Sequence, residues 1–290
     1  MAVQLIATRE DILMILVTGA TGNIGRSLLK ELRAFGSGPI RALTRDTDGA
    51  AFPAGVEAIE GDLTDLSALT AALDGVLSMF LVPRLGPDAE IIDLARRAGV
   101  EHVVLVSSIT VETHPHLGPA ADNAAVEKLL EASGMEWTIL RPTQFASNAL
   151  MWASAIQARQ PVRAPYVDIG LPTIHPADIA SVVRVALTEP GHRGQRYALT
   201  GPAPVSARQQ VGTIAGLLNR DIEFTEITRE DARPSMVTVF GEDAADAVLD
   251  VTGGDVNDAL LQVRDTVPRL TGSVARTFAQ WAEENVDAFR

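Results

Sequence analysis

The sequence predicts an α/β protein: a doubly wound parallel sheet with a smaller C-terminal α/β lobe. Three observations predict it. The stretch LVTGATGNIGRSLL (residues 16–29) sets three glycines three apart, between an apolar β-forming run and an amphipathic helical pattern. Short β-rich runs then alternate with helical patterns of roughly 10 to 13 residues, the rhythm of consecutive βα units wound right-handedly onto one sheet. Those helical patterns stop at Gly36, Gly99 and Gly134, a residue that ends helices without backbone strain.

Each element follows from its local pattern. From Ile12, ILMILVT is a continuous apolar run, as befits a strand buried on both faces. Within NIGRSLLKELRAF the apolar Ile24, Leu28, Leu29, Leu32 and Phe35 fall at helical spacing. Strands PIRALT and VEAIEGD come next, then a helix from Asp65 to Leu73, strand VLSMFLV, a helix from Asp88 to Ala98 and strand HVVLVSS. A helix from about Asp122 to Ala132 and strand WTILR complete this half. Beyond Pro142 the rhythm loosens. FASNALMWASAIQA reads as a helix, PADIASVVRVALT as another with proline at its first position, and RYALT as a strand. Ser206 with Gln209 has the spacing of a capping box at a helix start. Strand DIEFTEIT and a largely helical tail through SVARTFAQWAEENVDAF follow. The expected organisation is an N-terminal extension over 1–13, a dinucleotide-binding domain over 14–148 and a C-terminal substrate lobe over 149–290. Residues 173–200 of that lobe are expected to return to the sheet.

Composition narrows the classes of function. The 290 residues hold no cysteine, which excludes disulfides, thiolate catalysis and sulfur-ligated zinc. His114 and His116 in THPHLG form the only close histidine pair, and with no carboxylate and third histidine at a matching spacing they read as a solvated loop; no metal is expected. A net charge of −13 without a basic run argues against binding a nucleic-acid backbone. No apolar stretch approaches the roughly 20 residues of a membrane span, and the N-terminus lacks the features of a signal peptide. The expectation is a cytoplasmic monomer or homodimer acting on a small molecule.

A strand, a glycine-rich turn and a helix N-terminus together make an anion site, because the first amides of the helix lack intrahelical partners and its dipole is positive there. Gly19, Gly22 and Gly25 then suit a Rossmann-type pyrophosphate turn, in the spacing GxxGxxG. At the end of the second strand, where an acid would bind the free ribose hydroxyl of NAD, stands Thr44, followed by Arg45. A guanidinium can fork onto phosphate, so NADP(H) is the expected cofactor. The plainer reading is an arginine solvated at a strand end and paired with Asp46.

The set GATGNIG, LTRD, EGDLTD, LVSS, EKLLEASGMEWTILRP, PADIA and YALTGP, in this order, resembles the NmrA-like group of atypical short-chain dehydrogenases/reductases, which includes quinone reductase-like and regulatory NAD(P)-binding members. The resemblance runs from about Ile15 to Phe289. It implies that Gly19, Thr21, Gly22, Asn23, Ile24 and Gly25 form the pyrophosphate loop, that Arg45 meets the 2′-phosphate, and that Asp62 and Leu63 lie beside adenine. It further implies that Phe80, Leu81 and Val82 run beside the nicotinamide ribose, and that Pro142, Thr143 and Phe145 close over the nicotinamide.

One departure matters. Short-chain dehydrogenases commonly pair a catalytic tyrosine with a lysine four residues later. Here Gly170 and Gly201 stand four residues beyond Tyr166 and Tyr197, the two tyrosines of the chain. If Glu127 is aligned with the family's helix glutamate, the dyad positions are Pro119 and Asn123, neither able to transfer a proton. The remaining catalytic candidates are Ser108 and Thr110 after the fifth strand, with neighbouring Ser107, and Lys128, which the plain reading makes a solvated helix residue. His175 reads as a helix cap or core hydrogen bond; Met151, Trp152 and Phe145 read as core or as an apolar pocket wall. Three functions follow as expectations: an NADP(H)-dependent reductase of a small quinone-like or conjugated carbonyl compound; a cofactor-sensing regulator without turnover; or a non-redox isomerase or cyclase, whose base the scattered acids Glu230 and Asp231 do not identify.

Overall fold

The structure is a computed structural model describing residues 14–290; the expected extension over 1–13 lies outside the described residues. Strand β1 (Met14–Val17) runs through the glycine turn into α1 (Asn23–Ala34). Then come β2 (Ile40–Thr44), β3 (Val56–Glu60), α2 (Leu66–Ala72), β4 (Val76–Leu81), α3 (Asp88–Ala98) and β5 (His102–Val106). After these follow the single turn α4 (Thr110–Thr113), α5 (Gly118–Glu131), β6 (Glu136–Pro142), α6 (Ala153–Gln157), β7 (Val162–Ala164), β8 (Gly170–Leu171), α7 (Pro176–Thr188) and β9 (Gln195–Leu199). The chain continues with β10 (Val205–Ser206), α8 (Ala207–Leu218), β11 (Phe224–Glu226), α9 (Arg229–Phe240) and α10 (Glu242–Leu249). It ends through α11 (Asp258–Leu261), α12 (Thr266–Thr271) and α13 (Phe278–Glu284).

Seven strands form one sheet in the order β3-β2-β1-β4-β5-β6-β9. β1 pairs in parallel with both β2 and β4, and the β2–β3 and β4–β5 pairs are parallel as well. The order reverses direction on either side of β1, so this is the doubly wound Rossmann-like fold that the strand and helix rhythm predicts. Burial follows from composition: β2 and β5 are buried along their whole length, whereas edge strand β3 exposes Glu57, Ala58 and Glu60. Helix α3 ends on Gly99 at φ 90°, in the left-handed region, and α2 is capped by the Asp65 carboxylate, which accepts from the Ser67 and Ala68 amides.

The chain divides into two compact units. One comprises the described residues up to Val106 with Val126–Ile139 and Ala180–Arg196. Its core gathers Leu16, Leu69, Met79, Leu81, Ile91, Leu105, Leu130 and Ile139, each no more than 1% exposed. The other comprises Ser107–Ala125, Leu140–Ile179 and Tyr197–Arg290, and its own core joins Ile156, Val162, Ile214, Phe278, Trp281 and Phe289.

Several elements differ from the sequence expectation, each for a local reason. The expected helix over 145–158 begins as a 3-10 segment, Ala146–Trp152, because Phe145 pairs with Ile174 and the Ala146 amide donates to the Ile174 carbonyl. Strand DIEFTEIT shortens to Phe224–Glu226, since its partner β7 offers three residues and Thr228 already caps α9. Within the largely helical tail, the last α-helix starts at Phe278, because Thr277 and Gln280 form a capping box. The box predicted at Ser206 and Gln209 is present. His114, expected in a solvated loop, is fully buried: its ring bonds to the Thr113 hydroxyl and to the carbonyl of Asp255, which the spacing along the chain could not reveal.

Candidate active site

The glycine turn takes its shape from backbone crowding. Gly22 donates its amide to the Gly19 carbonyl at 2.9 Å, and Gly19 has a φ of 57°. A Cβ on Gly25 would overlap that same carbonyl and stand 2.8 Å from Ala20 Cα, so helix α1 can approach the strand this closely only with glycine there. The N-cap of α1, Gly22, supplies no side-chain cap, and no acid occupies the first turn. That end of the helix is therefore electropositive and unblocked by its own side chains.

Around the turn lies a cleft of about 170 Å³ lined by Gly19, Thr21, Leu43, Thr44, Arg45, Gly61, Asp62, Leu63 and Leu85. The structure thus brings together Gly19, Thr21, Arg45, Asp62 and Leu63 of the residues named from sequence. Val82 also approaches, its Cγ2 standing 3.2 Å from where a Cβ on Gly19 would lie. Thr18 ties this edge together, its hydroxyl donating to the Phe80 carbonyl and accepting from the Val82 amide. Phe80 and Leu81 themselves are buried, so at that strand end they present backbone and not side chains. Ile24 and Gly25 are buried beneath the turn, while Gly22 and Asn23 are exposed.

Arg45 is the charged group of the cleft that stands out into solvent, its side chain 84% exposed. Asp46 does not pair with it; the Asp46 carboxylate accepts from the Gly49 amide at 2.8 Å. Asp62 is held below the usual carboxylate range chiefly by hydrogen bonds from the Thr64 amide and hydroxyl, with the Arg45 charge adding less. A dinucleotide fits the donor set: an electropositive helix end, a turn that side chains would fill, and a largely exposed cation beyond the end of β2, loosely paired with Asp62.

In the other unit, Thr143 donates its amide to Leu199, while its hydroxyl is buried without a hydrogen-bond partner among the described residues. Pro142 accepts from the Ile109 amide. Ser108 and Thr110 hydroxyls bond to each other at 2.8 Å and Ser107 donates its amide to Leu140, while Lys128, which belongs to the first unit, is exposed. Asn123 Nδ2 donates to the Pro119 carbonyl within α5, so both dyad positions are spent on the helix. His175 caps α7 by accepting from the Ala177 amide, with its other nitrogen 3.3 Å from Glu284; burial pushes its pKa down.

The same unit holds a cavity of about 110 Å³, within about 780 Å³ counted out to its open mouth. Met151 and Trp152 line it, joined by Ile169, Leu171, Met236, Phe240 and Leu249; Gln144, Asn148, Tyr166 and Gln210 supply polar edges. Phe145 is not among its lining residues. Met236, Phe240 and Leu249 come from α9 and α10, elements with no sequence signal linking them to Trp152. Among the described residues no group of three histidines and carboxylates could hold a metal ion, and no helix is long and apolar enough to cross a membrane.

Fold and cleft together define a dinucleotide-binding protein built on a doubly wound sheet. The chain belongs to the NAD(P)H-binding family, whose match covers residues 19–190. It is 36% identical over 286 residues to the (4-alkanoyl-5-oxo-2,5-dihydrofuran-3-yl)methyl phosphate reductase of Streptomyces griseus, covering 95% of this chain and 99% of that one. It is 35% identical to the NAD(P)H azoreductase of Xenophilus azovorans, with coverage of 95% and 99%. Among solved structures, the NADPH complex of an NADPH-dependent quinone oxidoreductase from Escherichia coli superposes with a TM-score of 0.75 at 26% identity, covering 93% and 99%. The NmrA fold is shared as well, with a TM-score of 0.68 at 20% identity.

Proposed function

We propose that the protein is an NADP(H)-dependent reductase of small conjugated acceptors, quinone-like or unsaturated carbonyl compounds, working in the cytoplasm. The observation that carries the choice of NADP(H) is Arg45: a solvent-facing guanidinium on the cleft, with Thr44 where an NAD-selecting acid would stand and Asp46 engaged elsewhere. The relatives lend support to the acceptor class. Their names specify an azo compound, a quinone and an oxo-dihydrofuran, each a conjugated group that can take up a hydride.

When bound, the reduced nicotinamide supplies the hydride. The residues of this chain bind and orient. The Gly19–Gly25 turn and the N-terminus of α1 take the pyrophosphate, Arg45 takes the 2′-phosphate, and Pro142, Thr143 and Phe145 form the turn proposed to shelter the nicotinamide. The cavity walled by Met151, Trp152 and Phe240 takes a flat apolar acceptor. Consumption of NADPH by a panel of quinones, enones and azo compounds tests the reading. Turnover with at least one member, and a lower KM for NADPH than for NADH, is expected; NADPH binding without consumption across the panel would contradict it and favour a cofactor-sensing role.

A further inference from the structure

The cavity contains a tyrosine in a costly seat. Tyr166 has a φ of 53°, in the left-handed region that residues bearing a side chain seldom adopt and that recurs at functional sites. Its ring rests on Gly253, where a single added methyl group would overlap the Tyr166 Cβ and ring. The guanidinium of Arg229, from α9, lies beside the Tyr166 hydroxyl, both close to the position a Cβ on Gly254 would take. The same guanidinium donates to Asp250 Oδ1 at 2.6 Å and reaches Asp246 Oδ1 at 3.4 Å. Gly254 closes the group, for a Cβ there would stand 2.7 Å from Arg229 Nη1 and 3.1 Å from the Tyr166 hydroxyl oxygen.

Two neighbouring glycines, a left-handed backbone and an arginine clamped by two carboxylates thus converge on one phenol. The sequence shows no lysine four residues beyond either tyrosine; the fold instead brings a cation to Tyr166 from a distant helix. We propose that Tyr166 is the proton donor to an acceptor bound in this cavity, with Arg229 as its positioning residue. This inference rests on the reductase reading. Gln144, within the 142–145 turn that the family resemblance assigns to the nicotinamide, lines the same cavity, so an acceptor there lies against that turn.

The chemistry balances. As hydride adds to a conjugated carbonyl, the C=O π pair moves onto oxygen. That oxygen takes the Tyr166 proton and becomes a hydroxyl. The electron pair left on the phenolate is met by the Arg229 guanidinium, with Asp250 and Asp246 holding the cation in place, until water returns a proton.

The test uses para-nitrophenol as the probe, because its oxygen imitates the reduced acceptor and its colour reports ionisation without any turnover. Wild type is expected to bind it and to raise its ionised fraction at a given pH through donation from Tyr166. Tyr166→Phe, which keeps the ring on Gly253, is expected to bind it with that shift lost, and Arg229→Gln to weaken the shift. With NADPH and an enone, Tyr166→Phe is expected to lower kcat about a hundredfold with KM nearly unchanged, while NADPH affinity measured by its fluorescence stays the same. An equal colour shift in Tyr166→Phe, a KM effect alone, or no binding of para-nitrophenol to wild type overturns the inference. Failure to bind NADPH overturns the reductase reading instead, and leaves the para-nitrophenol result to decide Tyr166.

Discussion

Arg45 Nε and Asp62 Oδ2 stand 3.9 Å apart on the cleft, beyond hydrogen-bond distance. The guanidinium is thus drawn toward the site by one carboxylate without being committed to it. A charge-assisted hydrogen bond contributes about 1.5 to 3 kcal/mol, and one at this exposed position belongs at the low end. Arg45→Ala is therefore expected to raise the Kd for NADPH about tenfold and to leave that for NADH nearly unchanged, read by fluorescence titration. Equal losses for both cofactors would remove Arg45 from the phosphate-binding role.

Gly25→Ala tests the turn. Its Cβ would overlap the Gly19 carbonyl, so helix α1 must move away from the strand. Overpacking of this kind costs roughly 1 to 3 kcal/mol, and denaturant unfolding should register it together with weakened binding of NADPH and NADH alike. A variant of wild-type stability and affinity would show that the close approach is not needed.

His102 gives a pH prediction. Burial, aided by the Arg193 and His192 charges, lowers its pKa from 6.5 to about 4, and its Nε2 bonds to the Thr138 hydroxyl at 3.0 Å. Between those two values the unfolded chain binds the extra proton and the folded chain does not, so stability falls as pH falls from 6.5 toward 4. The loss is complete below about 4, at about 3 kcal/mol. His102→Asn is expected to flatten that part of the stability profile, whatever its effect at neutral pH. An unchanged slope in urea unfolding between pH 7 and pH 4 would contradict the account.

Asp178 and Arg276 give a stability prediction. Asp178 is buried, accepts from the Arg276 amide at 2.7 Å and pairs with its guanidinium; burial pushes its pKa up while Arg276 opposes that rise. Arg276→Ala retains the amide but strands the carboxylate, at an expected cost of about 2 kcal/mol. Asp178→Asn in the same background should recover part of that loss, because the buried charge is gone.

Legibility in the sequence follows the range of the interaction that creates each feature. The sheet strands, α3 with its Gly99 stop, the Ser206 capping box and the cleft around Gly19 and Arg45 rest on local patterns, so they could be read directly. Burial of His114 depends on Asp255, and the Tyr166 cluster depends on Arg229 and Gly253; these partners are remote in the chain. Strands β7, β8 and β10, of two or three residues each, are too short for any periodicity to show. The pocket wall from α9 and α10 was missed for the same reason as Arg229: packing, and not pattern, brings it to Trp152.

Single-turnover mixing of the NADPH-loaded protein with menadione tests the central claim most directly. Loss of the reduced nicotinamide absorbance, with one equivalent oxidised per bound cofactor and formation of the hydroquinone, is the predicted result. Bound NADPH that stays reduced with menadione, and with an enone and an azo compound mixed in the same way, would contradict it.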